Sequence, residues 1–422
     1  MLSVSPLEGI VRPDQPLRCR FCHAVLRQTL VDLGTSPLCE SYLDATQLNH
    51  MEPFYPLHVW LCEECWLAQL PEYVSPKAIF SDYAYYSSYS DSWLAHARQF
   101  AESARAELWL GPHSLVIEVG SNDGYLLQYF VAHGIPALGI DPAANVDAAA
   151  AERGVPSIVD FLTCALADEI VAAHGRADLV IANNVLAQVP DLNDFVAGLS
   201  RLLAPDGTLA IEVPHLLQLV SGNQFDTIYH EHFSYFSFHT LERILSAHGL
   251  TVYRVEQLAT HGGSLRVSAQ HTRSGYRLIE DSTSAVRSME AAAMTDPAFY
   301  RDFGLRVAAT KRALLRFLID AREQGQTVAG YGAPGKGNTL LNYCGIRTDL
   351  LEYTVDRNPY KQGKFLPGTH VPIYDPRRIQ ETRPDYILIL PWNLKQEVIH
   401  QLEYVRQWGC QFVVPIPQLQ VY

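Results

Sequence analysis

The sequence predicts an α/β protein with two doubly wound, Rossmann-like sheets and a small cysteine-rich domain at the N-terminal end. Short apolar runs alternate with turns and amphipathic stretches over most of the chain, the order typical of parallel sheets covered by helices. Glycine-rich turns directly follow two of these runs, in VIEVGSNDG and in VAGYGAPGKG. With 422 residues the chain has room for about three domains, which we place at 1–90, 91–300 and 301–422.

Composition and charge exclude several classes of protein. Apolar residues make up 48% of the chain and charged residues 18%, as in folded globular proteins. The net charge of -13 would repel a phosphate backbone, so nucleic acid is not an expected partner. The start MLSVSPLEGIVRPDQP lacks the basic and apolar regions of a signal peptide, and no apolar run is long enough to span a membrane. We expect a cytoplasmic protein without a membrane partner; the composition does not predict its oligomeric state.

Two C-x-x-C pairs indicate a metal site in the N-terminal segment. Cys19, Cys22, Cys62 and Cys65 offer four thiolates, which suit the tetrahedral coordination of Zn(II) and leave no open position for chemistry, so the zinc would be structural. Two alternatives are reduced buried thiols without metal and, less favoured, a redox disulfide, because no thioredoxin-like βαβ unit surrounds either pair. Cys39 could replace one ligand, although a simple buried thiol is the favoured interpretation.

A tyrosine-rich stretch, SDYAYYSSYSDSW, follows the second cysteine pair. Its rings have an apolar body and a hydroxyl tip, so they could stack in a domain interface or line a polar pocket. The residues alone favour the interface.

The second predicted domain opens with an apolar strand, SLVIEV, that runs into the turn G-S-N-D-G and then into an amphipathic helix. The next strand ends at Asp141, where a carboxylate can accept the hydroxyls of a ribose. Further strand ends in order carry Asp160 and Phe161, then Asn183 and Asn184, then Glu212.

Glu118, immediately before the glycine turn, distinguishes between two types of ligand. A dinucleotide pyrophosphate normally requires G-x-G-x-x-G, whereas a carboxylate upstream of the turn suits a cationic amino-acid end. S-adenosylmethionine has such an end and no phosphate. We therefore predict a class I methyltransferase domain whose cofactor contacts are Glu118, Gly120, Asn122, Asp141, Asp160, Phe161 and Asn183.

The third predicted domain does contain G-x-G-x-x-G after a strand, from Gly330 to Gly335. Lys336 follows it, and the loop after the next strand carries Lys361. Backbone donors at a helix start and nearby lysines predict a phosphate-bearing ligand, with Tyr331, Lys336 and Lys361 as binding residues. The alternative is a degenerate repeat that only packs.

A cluster suited to acid/base chemistry lies in FDTIYHEHFSYFS, where Tyr229, His230, Glu231 and His232 are adjacent. The two histidines are two positions apart, which excludes the helical H-E-x-x-H zinc motif. Histidine titrates near neutral pH and a neighbouring carboxylate can orient it, so a general base is predicted here. The alternative is that these groups only satisfy one another at a domain junction. His261, in HGGSLRV, could face the same cavity or cap a turn.

The order of these motifs resembles the three-domain sugar C-methyltransferases that act on nucleotide-linked keto-deoxysugars. Paired C-x-x-C, YAYYSSYS, VIEVGSNDG, FDTIYHEHFSYFS, HGGSLRV, GYGAPGKGNTLLNYCGI and KQGKFLPGTHVPI carry the resemblance over nearly the whole chain. The resemblance implies structural zinc, S-adenosylmethionine, and a catalytic Tyr-x-Glu-His element matched by Tyr229, Glu231 and His232. It also implies a tyrosine near the sugar, with Tyr83 as the best match and Tyr85 as the second.

The reaction that this resemblance implies is methylation of the carbon next to a sugar ketone, at C-3 of a dTDP-linked 4-keto-deoxysugar. His232 would remove the proton, Tyr229 and Tyr83 would stabilise the enolate oxygen, and Glu231 would orient the base or hold the sugar. Tyr85, His261 and the residues of the third domain would help to bind the substrate. His230 remains an alternative base.

Two other classes remain open on sequence alone. One is an O- or N-methyltransferase of a small metabolite, in which the histidine deprotonates a heteroatom. The other is a non-catalytic, zinc-containing binding protein. A nucleic-acid methyltransferase is disfavoured by the charge.

Overall fold

The computed structural model describes residues 16–81 and 87–422. Tyr83 and Tyr85, two of the predicted site residues, lie outside this range. The chain divides into two compact units. The first contains the described residues up to Arg27 together with Leu61–His215 and Glu231–Thr295, and the second contains Gln28–Trp60, Leu216–His230 and Asp296–Tyr422. The boundaries 1–90, 91–300 and 301–422 stay a prediction of the domain organisation.

The strands, numbered in chain order, are β1 (Gln28–Ser36), β2 (Tyr55–Leu61), β3 (Ala68–Gln69), β4 (Val116–Val119), β5 (Ala137–Ile140), β6 (Ser157–Ile158), β7 (Ala177–Asn183), β8 (Leu203–Pro214), β9 (Ser234–Tyr235), β10 (Leu250–Leu258), β11 (Ser264–His271), β12 (Val328–Tyr331), β13 (Thr354–Val355), β14 (Ile373–Tyr374), β15 (Tyr386–Ile389), β16 (Gln411–Val414) and β17 (Gln420–Val421).

The helices are α1 (Pro76–Phe80), α2 (Asp91–Glu107), α3 (Leu127–Ala132), α4 (Ala144–Glu152), α5 (Cys164–His174), α6 (Leu192–Leu202), α7 (Leu216–Ser221), α8 (Phe238–Ala247), α9 (Asp281–Ala291), α10 (Pro297–Arg301), α11 (Phe303–Glu323), α12 (Gly335–Cys344), α13 (Arg378–Thr382) and α14 (Lys395–Gln401).

The first unit is built around a seven-stranded sheet with the order β10-β11-β8-β7-β4-β5-β6. Strands β4 to β8 run parallel, and β11 and β10 continue the sheet in antiparallel fashion. Because parallel strands are covered on both faces, β4 and β5 are buried at every position. This is the predicted class I methyltransferase sheet, and it brings the carboxyl ends of β4, β5 and β7 to one edge.

Helix starts in this unit follow local capping rules. Thr163, Asp191 and Ser237 accept backbone N–H bonds at the beginnings of α5, α6 and α8. Gly175 ends α5 with a positive φ of 85°. These signals fix the lengths of the helices that cover the sheet.

A short strand pair also belongs to the first unit. β3 pairs with β9 in antiparallel register, Ala68 opposite Tyr235 and Gln69 opposite Ser234. β3 directly follows the second cysteine pair, and β9 follows His232 by two residues.

The second unit contains a six-stranded sheet with the order β14-β13-β12-β15-β16-β17, parallel except for β17. Helix α12 starts in the predicted glycine-rich turn and ends at Gly345, which is left-handed. β1 and β2 are neighbouring strands in the same unit. The second Rossmann-like sheet is therefore confirmed.

Among the described residues, every helix is too short or too polar to cross a bilayer.

Candidate active site and metal centre

The four predicted metal ligands lie together in the first unit. One ligand atom from each of Cys19, Cys22, Cys62 and Cys65 lies within 4.8 Å of the others, and three of these residues are buried. All four are free thiols, with Sγ atoms 3.5 Å apart in the pairs Cys19–Cys65 and Cys22–Cys62. Four sulfur donors at this spacing fit a tetrahedral zinc ion.

Hydrogen bonds favour the thiolate form of Cys19. The thiols of Cys62 and Cys65 and the Gln69 amide lower its pKa, against the opposing effect of burial. Gln69 Nε2 donates to Cys19 Sγ at 3.2 Å. The same hydrogen bonds raise the pKa values of Cys62 and Cys65, so the metal-free cluster favours one thiolate, and zinc binding would release the remaining thiol protons.

Cys39, the possible substitute ligand, belongs to the second unit. It is buried, and a Cβ atom added to Gly335 would lie 2.6 Å from its Sγ. The simple buried thiol that the sequence favoured agrees with this packing.

The predicted cofactor edge is shaped by the glycine turn after β4. Gly120 has a φ of +74°, and a Cβ atom added there would lie 3.0 Å from Cβ of Val185. Asn122 follows in the left-handed region, with a φ of 48°, and its backbone N–H donates to the Asp141 carboxylate at 2.9 Å. Asn122 Oδ1 accepts the N–H of Ser87 at 2.9 Å.

Glu118 is the most strongly perturbed group at this edge. Its side chain is completely buried, and burial raises its pKa well above the usual range. The Tyr125 hydroxyl opposes this shift, whereas Asp141 and Asp123 add to it. An adjacent cation would restore the charged carboxylate, as expected for a group that pairs with an ammonium ion.

Other polar atoms at the same edge are available to a ligand. In the described part of the chain, no hydrogen bond reaches Ser121 Oγ, Asn183 Oδ1 or either amide atom of Asn184, although all are buried. Buried polar groups in folded proteins are normally paired. Together with Glu118, these atoms fit S-adenosylmethionine, which carries an ammonium, ribose hydroxyls and an adenine.

The remaining predicted cofactor residues already have internal partners. Asp141 accepts backbone N–H bonds from Asn122 and Ala143, and its pKa is raised mainly by burial. Asp160 is exposed and accepts the N–H of Phe161 at 2.7 Å. Each carboxylate still has lone pairs for a second donor.

The structure distinguishes the two histidines of the Tyr229–His232 cluster. His230 is buried in the second unit, its Nε2 donates to the carbonyl of Pro56 at 3.2 Å, and its ring packs edge-on against Tyr55. Burial lowers its pKa to about 4, so it is neutral at physiological pH. His232 belongs to the first unit, is half-buried, and lies 6.2 Å from the Tyr235 ring.

His261 lies in a strained turn that is tied to a buried charge network. Its φ is 54°, and its ring lies 5.3 Å from that of Trp93. The hydroxyl of the preceding Thr260 donates to Glu212 Oε1 at 3.0 Å. Glu212 is fully buried, and its other oxygen lies 3.0 Å from both His96 Nε2 and Arg266.

The predicted phosphate-binding residues of the second unit lie around its glycine turn. Lys361 Nζ donates to the carbonyl of Ala333 at 2.9 Å and lies 3.7 Å from Glu40. Tyr331 donates to Gln401 at 2.9 Å. Asp356, at the end of β13, accepts backbone N–H bonds from Ala333 and Asn358.

Lys336 belongs to a group of side chains near the start of α12 and is itself partly buried. Its Nζ donates to Asn393 at 2.9 Å and lies 4.9 Å from the centre of the Trp392 ring. Burial lowers its pKa, and Asp226 opposes this effect. Sequence reasoning did not assign a role to Asp226, because the pattern gives no signal that joins it to α12.

Comparison with known proteins identifies the family. C-methyltransferase NovU from Streptomyces niveus is 36% identical over 418 residues, which cover 98% of each chain. The chain belongs to the C-methyltransferase family. Three family models agree: a zinc binding domain at 19–80, a methyltransferase domain at 93–255 and a C-methyltransferase C-terminal domain at 259–417.

More distant likenesses are limited to part of this C-methyltransferase. Human mitochondrial ubiquinone biosynthesis O-methyltransferase is 27% identical over 155 residues, which cover 33% of this chain and 42% of that protein. Among solved structures, a magnesium protoporphyrin IX methyltransferase from Synechocystis with bound SAM is 18% identical. It covers 42% of this chain and 81% of its own, with a TM-score of 0.32.

The predictions of the cofactor and of the metal are confirmed. The chain is a C-methyltransferase that uses S-adenosylmethionine and holds structural zinc on its four-cysteine cluster. Sequence reasoning missed Gln69, Arg266 and His96, because each of them contacts residues that are far away in the chain.

Proposed function

We propose that this C-methyltransferase acts on a nucleotide-linked 4-keto-deoxysugar, with dTDP as the nucleotide, and methylates C-3 beside the ketone. The observation that carries this proposal is the difference between His230 and His232, which are two positions apart. Packing holds His230 neutral and bonded to a carbonyl, whereas His232 is half-buried and follows the acidic Glu231. This difference supports His232 as the base, because a general base must keep access to the proton that it removes.

A carbon next to a ketone becomes a nucleophile when its proton is removed and the resulting enolate oxygen is stabilised. His232 takes the proton, and Tyr229 and Tyr83 donate hydrogen bonds to the enolate oxygen. Glu231 orients His232 or holds a sugar hydroxyl. When bound, S-adenosylmethionine would supply an electrophilic methyl group to this carbon; the S–CH3 bond would break and S-adenosylhomocysteine would leave.

The residues that bind the cofactor are assigned from the side chains at the carboxyl ends of the strands in the first unit. Glu118 pairs with the ammonium of the amino-acid end, and Gly120 and Asn122 shape the turn beside it. Asp141 takes ribose hydroxyls, while Asp160, Phe161 and Asn183 hold the adenine side. The buried polar atoms at the ends of β4 and β7 support this assignment.

The substrate set includes Tyr85 and His261, with Tyr331, Lys336 and Lys361 for the nucleotide. The two lysines support a phosphate-bearing ligand because they carry positive charge at a glycine-rich helix start. Their present hydrogen bonds are to neutral acceptors, Asn393 and the carbonyl of Ala333, and Lys361 also lies 3.7 Å from Glu40. A phosphate oxygen would be a stronger acceptor than the two neutral partners.

The test is incubation with S-adenosylmethionine and a panel of nucleotide-linked 4-keto-6-deoxysugars that differ in the base and at C-3. Mass spectrometry would show the gain of a methylene unit, and NMR would show a new carbon–carbon bond at C-3. A methyl group on oxygen or nitrogen would instead establish the O- or N-methyltransferase activity, and binding of S-adenosylmethionine without turnover on any sugar would contradict the proposed substrate class.

A further inference from the structure

The zinc cluster is directly connected to the segment that follows the predicted base. Gln69 Nε2 donates to Cys19 Sγ at 3.2 Å, and Gln69 Oε1 accepts the backbone N–H of Arg20 at 2.9 Å. The same residue is opposite Ser234 in the β3–β9 pair. Gln69 is only 2% exposed, so water does not compete effectively for these bonds.

A second connection runs through Arg20, between the first two cysteines. Its guanidinium donates to the carbonyls of Leu70 and Pro190 and lies 5.5 Å from the centre of the Phe233 ring. Leu70 donates its N–H to the carbonyl of Phe233 at 2.9 Å. Phe233 is the residue directly after His232.

The second cysteine pair is connected to the other end of the same segment. Thr240 Oγ1 donates to the carbonyl of Cys65 at 3.1 Å, and Arg243 donates to the carbonyl of Glu64 at 2.8 Å. Both residues lie in α8, which begins three residues after the end of β9. The segment 231–237 is therefore held on both sides by residues of the two cysteine knuckles.

The short length of β3 and β9 indicates that these contacts are needed to hold the segment in place. β3 and β9 are two residues each, so the ladder between them contributes only a few hydrogen bonds. A tetrahedral zinc ion would fix both knuckles, and hence Gln69 and Arg20, in one geometry.

We propose that the zinc knuckles position His232, with Gln69 and Arg20 as the positioning residues. This inference rests on the proposed role of His232 as the base. The zinc then takes no part in the chemistry, but its loss displaces the segment that carries the base, while the S-adenosylmethionine edge at β4 is retained.

The test uses the full chain and the variant Gln69→Met, which keeps the length of the side chain and removes its hydrogen bonds. Gln99→Met is the matched control, because Gln99 is exposed on α2. Zinc content, affinity for S-adenosylmethionine, kcat, KM and amide hydrogen exchange of peptides covering 231–237 and β4 are measured for each.

For Gln69→Met we expect zinc and S-adenosylmethionine binding to be retained, and both a rise in exchange at 231–237 and a fall in kcat of about tenfold. KM and exchange at β4 should stay as in the control. Unchanged exchange at 231–237, or an equal rise at β4, would overturn the proposal.

Removal of zinc from the wild-type protein by a chelator gives a second measurement, in case Gln69→Met does not fold. Exchange at 231–237 should rise before exchange at β4; a simultaneous rise would overturn the inference. If no sugar of the panel is methylated, the proposed function fails, but the exchange data still decide whether the knuckles hold this segment.

Discussion

The indole N–H of Trp392 donates to the Asp226 carboxylate at 2.7 Å, and both side chains are buried in the second unit. Asp226 Oδ1 has no hydrogen-bond partner among the described residues. Burial raises the pKa of Asp226 from 3.8 to about 7, with Lys336 and Trp392 acting in the opposite direction. The protonated acid is therefore favoured in the folded state below neutral pH.

This shift predicts how stability depends on pH. Between pH 4 and 7 the folded protein binds this proton more tightly than the unfolded chain, so the free energy of unfolding falls as the pH rises through this range. The contribution is on the order of 4 kcal/mol. Asp226→Asn keeps an acceptor for Trp392 and should flatten this part of the profile. Urea unfolding of both proteins from pH 5 to 8 is the measurement; parallel profiles would contradict the assignment.

The two histidines provide a matched pair of variants. His232→Asn should lower kcat by about 10²- to 10⁴-fold, the usual contribution of a general base, without loss of S-adenosylmethionine affinity. His230→Asn should reduce stability instead, because it alters a buried contact with Pro56. Single-turnover kinetics and calorimetry separate these effects. Near-normal turnover by His232→Asn would refute the role of His232.

Tyr229→Phe tests the stabilisation of the enolate oxygen. Loss of one such donor typically costs about 3 kcal/mol of the barrier, so kcat should fall by about 10²-fold while the substrate still binds. The hydrogen/deuterium exchange rate at the carbon beside the ketone should fall in parallel with kcat. If exchange were unaffected and only methyl transfer slowed, Tyr229 would not stabilise the enolate.

The cysteine cluster predicts a clear difference between two substitutions. Cys65→Ala removes one of four converging thiols, so zinc content and the melting temperature should both drop. Cys39→Ala should leave the zinc content unchanged, because Cys39 is buried against Gly335 in the second unit. Elemental analysis with thermal unfolding reports both quantities. Loss of zinc from Cys39→Ala would assign that thiol to the metal site.

The contacts of Glu290, on α9, lead us to expect that this residue contributes to stability. Its buried carboxylate lies 2.7 Å from His215 Nε2 and accepts the N–H groups of Phe238 and His239 at 2.6 and 2.8 Å, at the start of α8. Glu290→Gln should lower the free energy of unfolding by about 2 kcal/mol.

The partly exposed Glu242, paired with Arg287, is the control for Glu290. Glu242→Gln should cost no more than about 1 kcal/mol, since an ion pair of this kind contributes little. Chemical denaturation of the two variants gives the comparison. Equal losses would mean that Glu290 has no special role in capping α8.

Sequence reasoning found the features that have local signals. Apolar runs gave the buried strands β4, β5 and β12, and the spacing of the cysteines gave the metal cluster. Glu118 was predicted as a cofactor contact because it lies two residues before Gly120, and that role stays a prediction. These predictions depend on residues that are neighbours in the chain.

Contacts between residues that are far apart in the chain could not be predicted from local sequence signals. Gln69 is separated from Cys19 by fifty positions, and Glu290 from Phe238 by fifty-two. β3 and β9 are too short to give an alternating pattern. The different environments of His230 and His232 also depend on tertiary packing, since the two residues are alike in their local sequence.

The carboxylate of Asp356 has a consequence for protein engineering. In sheets that bind nicotinamide dinucleotides, the acidic group at the end of the second strand takes the ribose hydroxyls. Here both of its oxygens already accept main-chain N–H groups, from Ala333 and Asn358. A redox cofactor grafted onto this glycine turn would therefore meet a carboxylate that the loop already holds in place, and its ribose could use only the remaining lone pairs of Asp356.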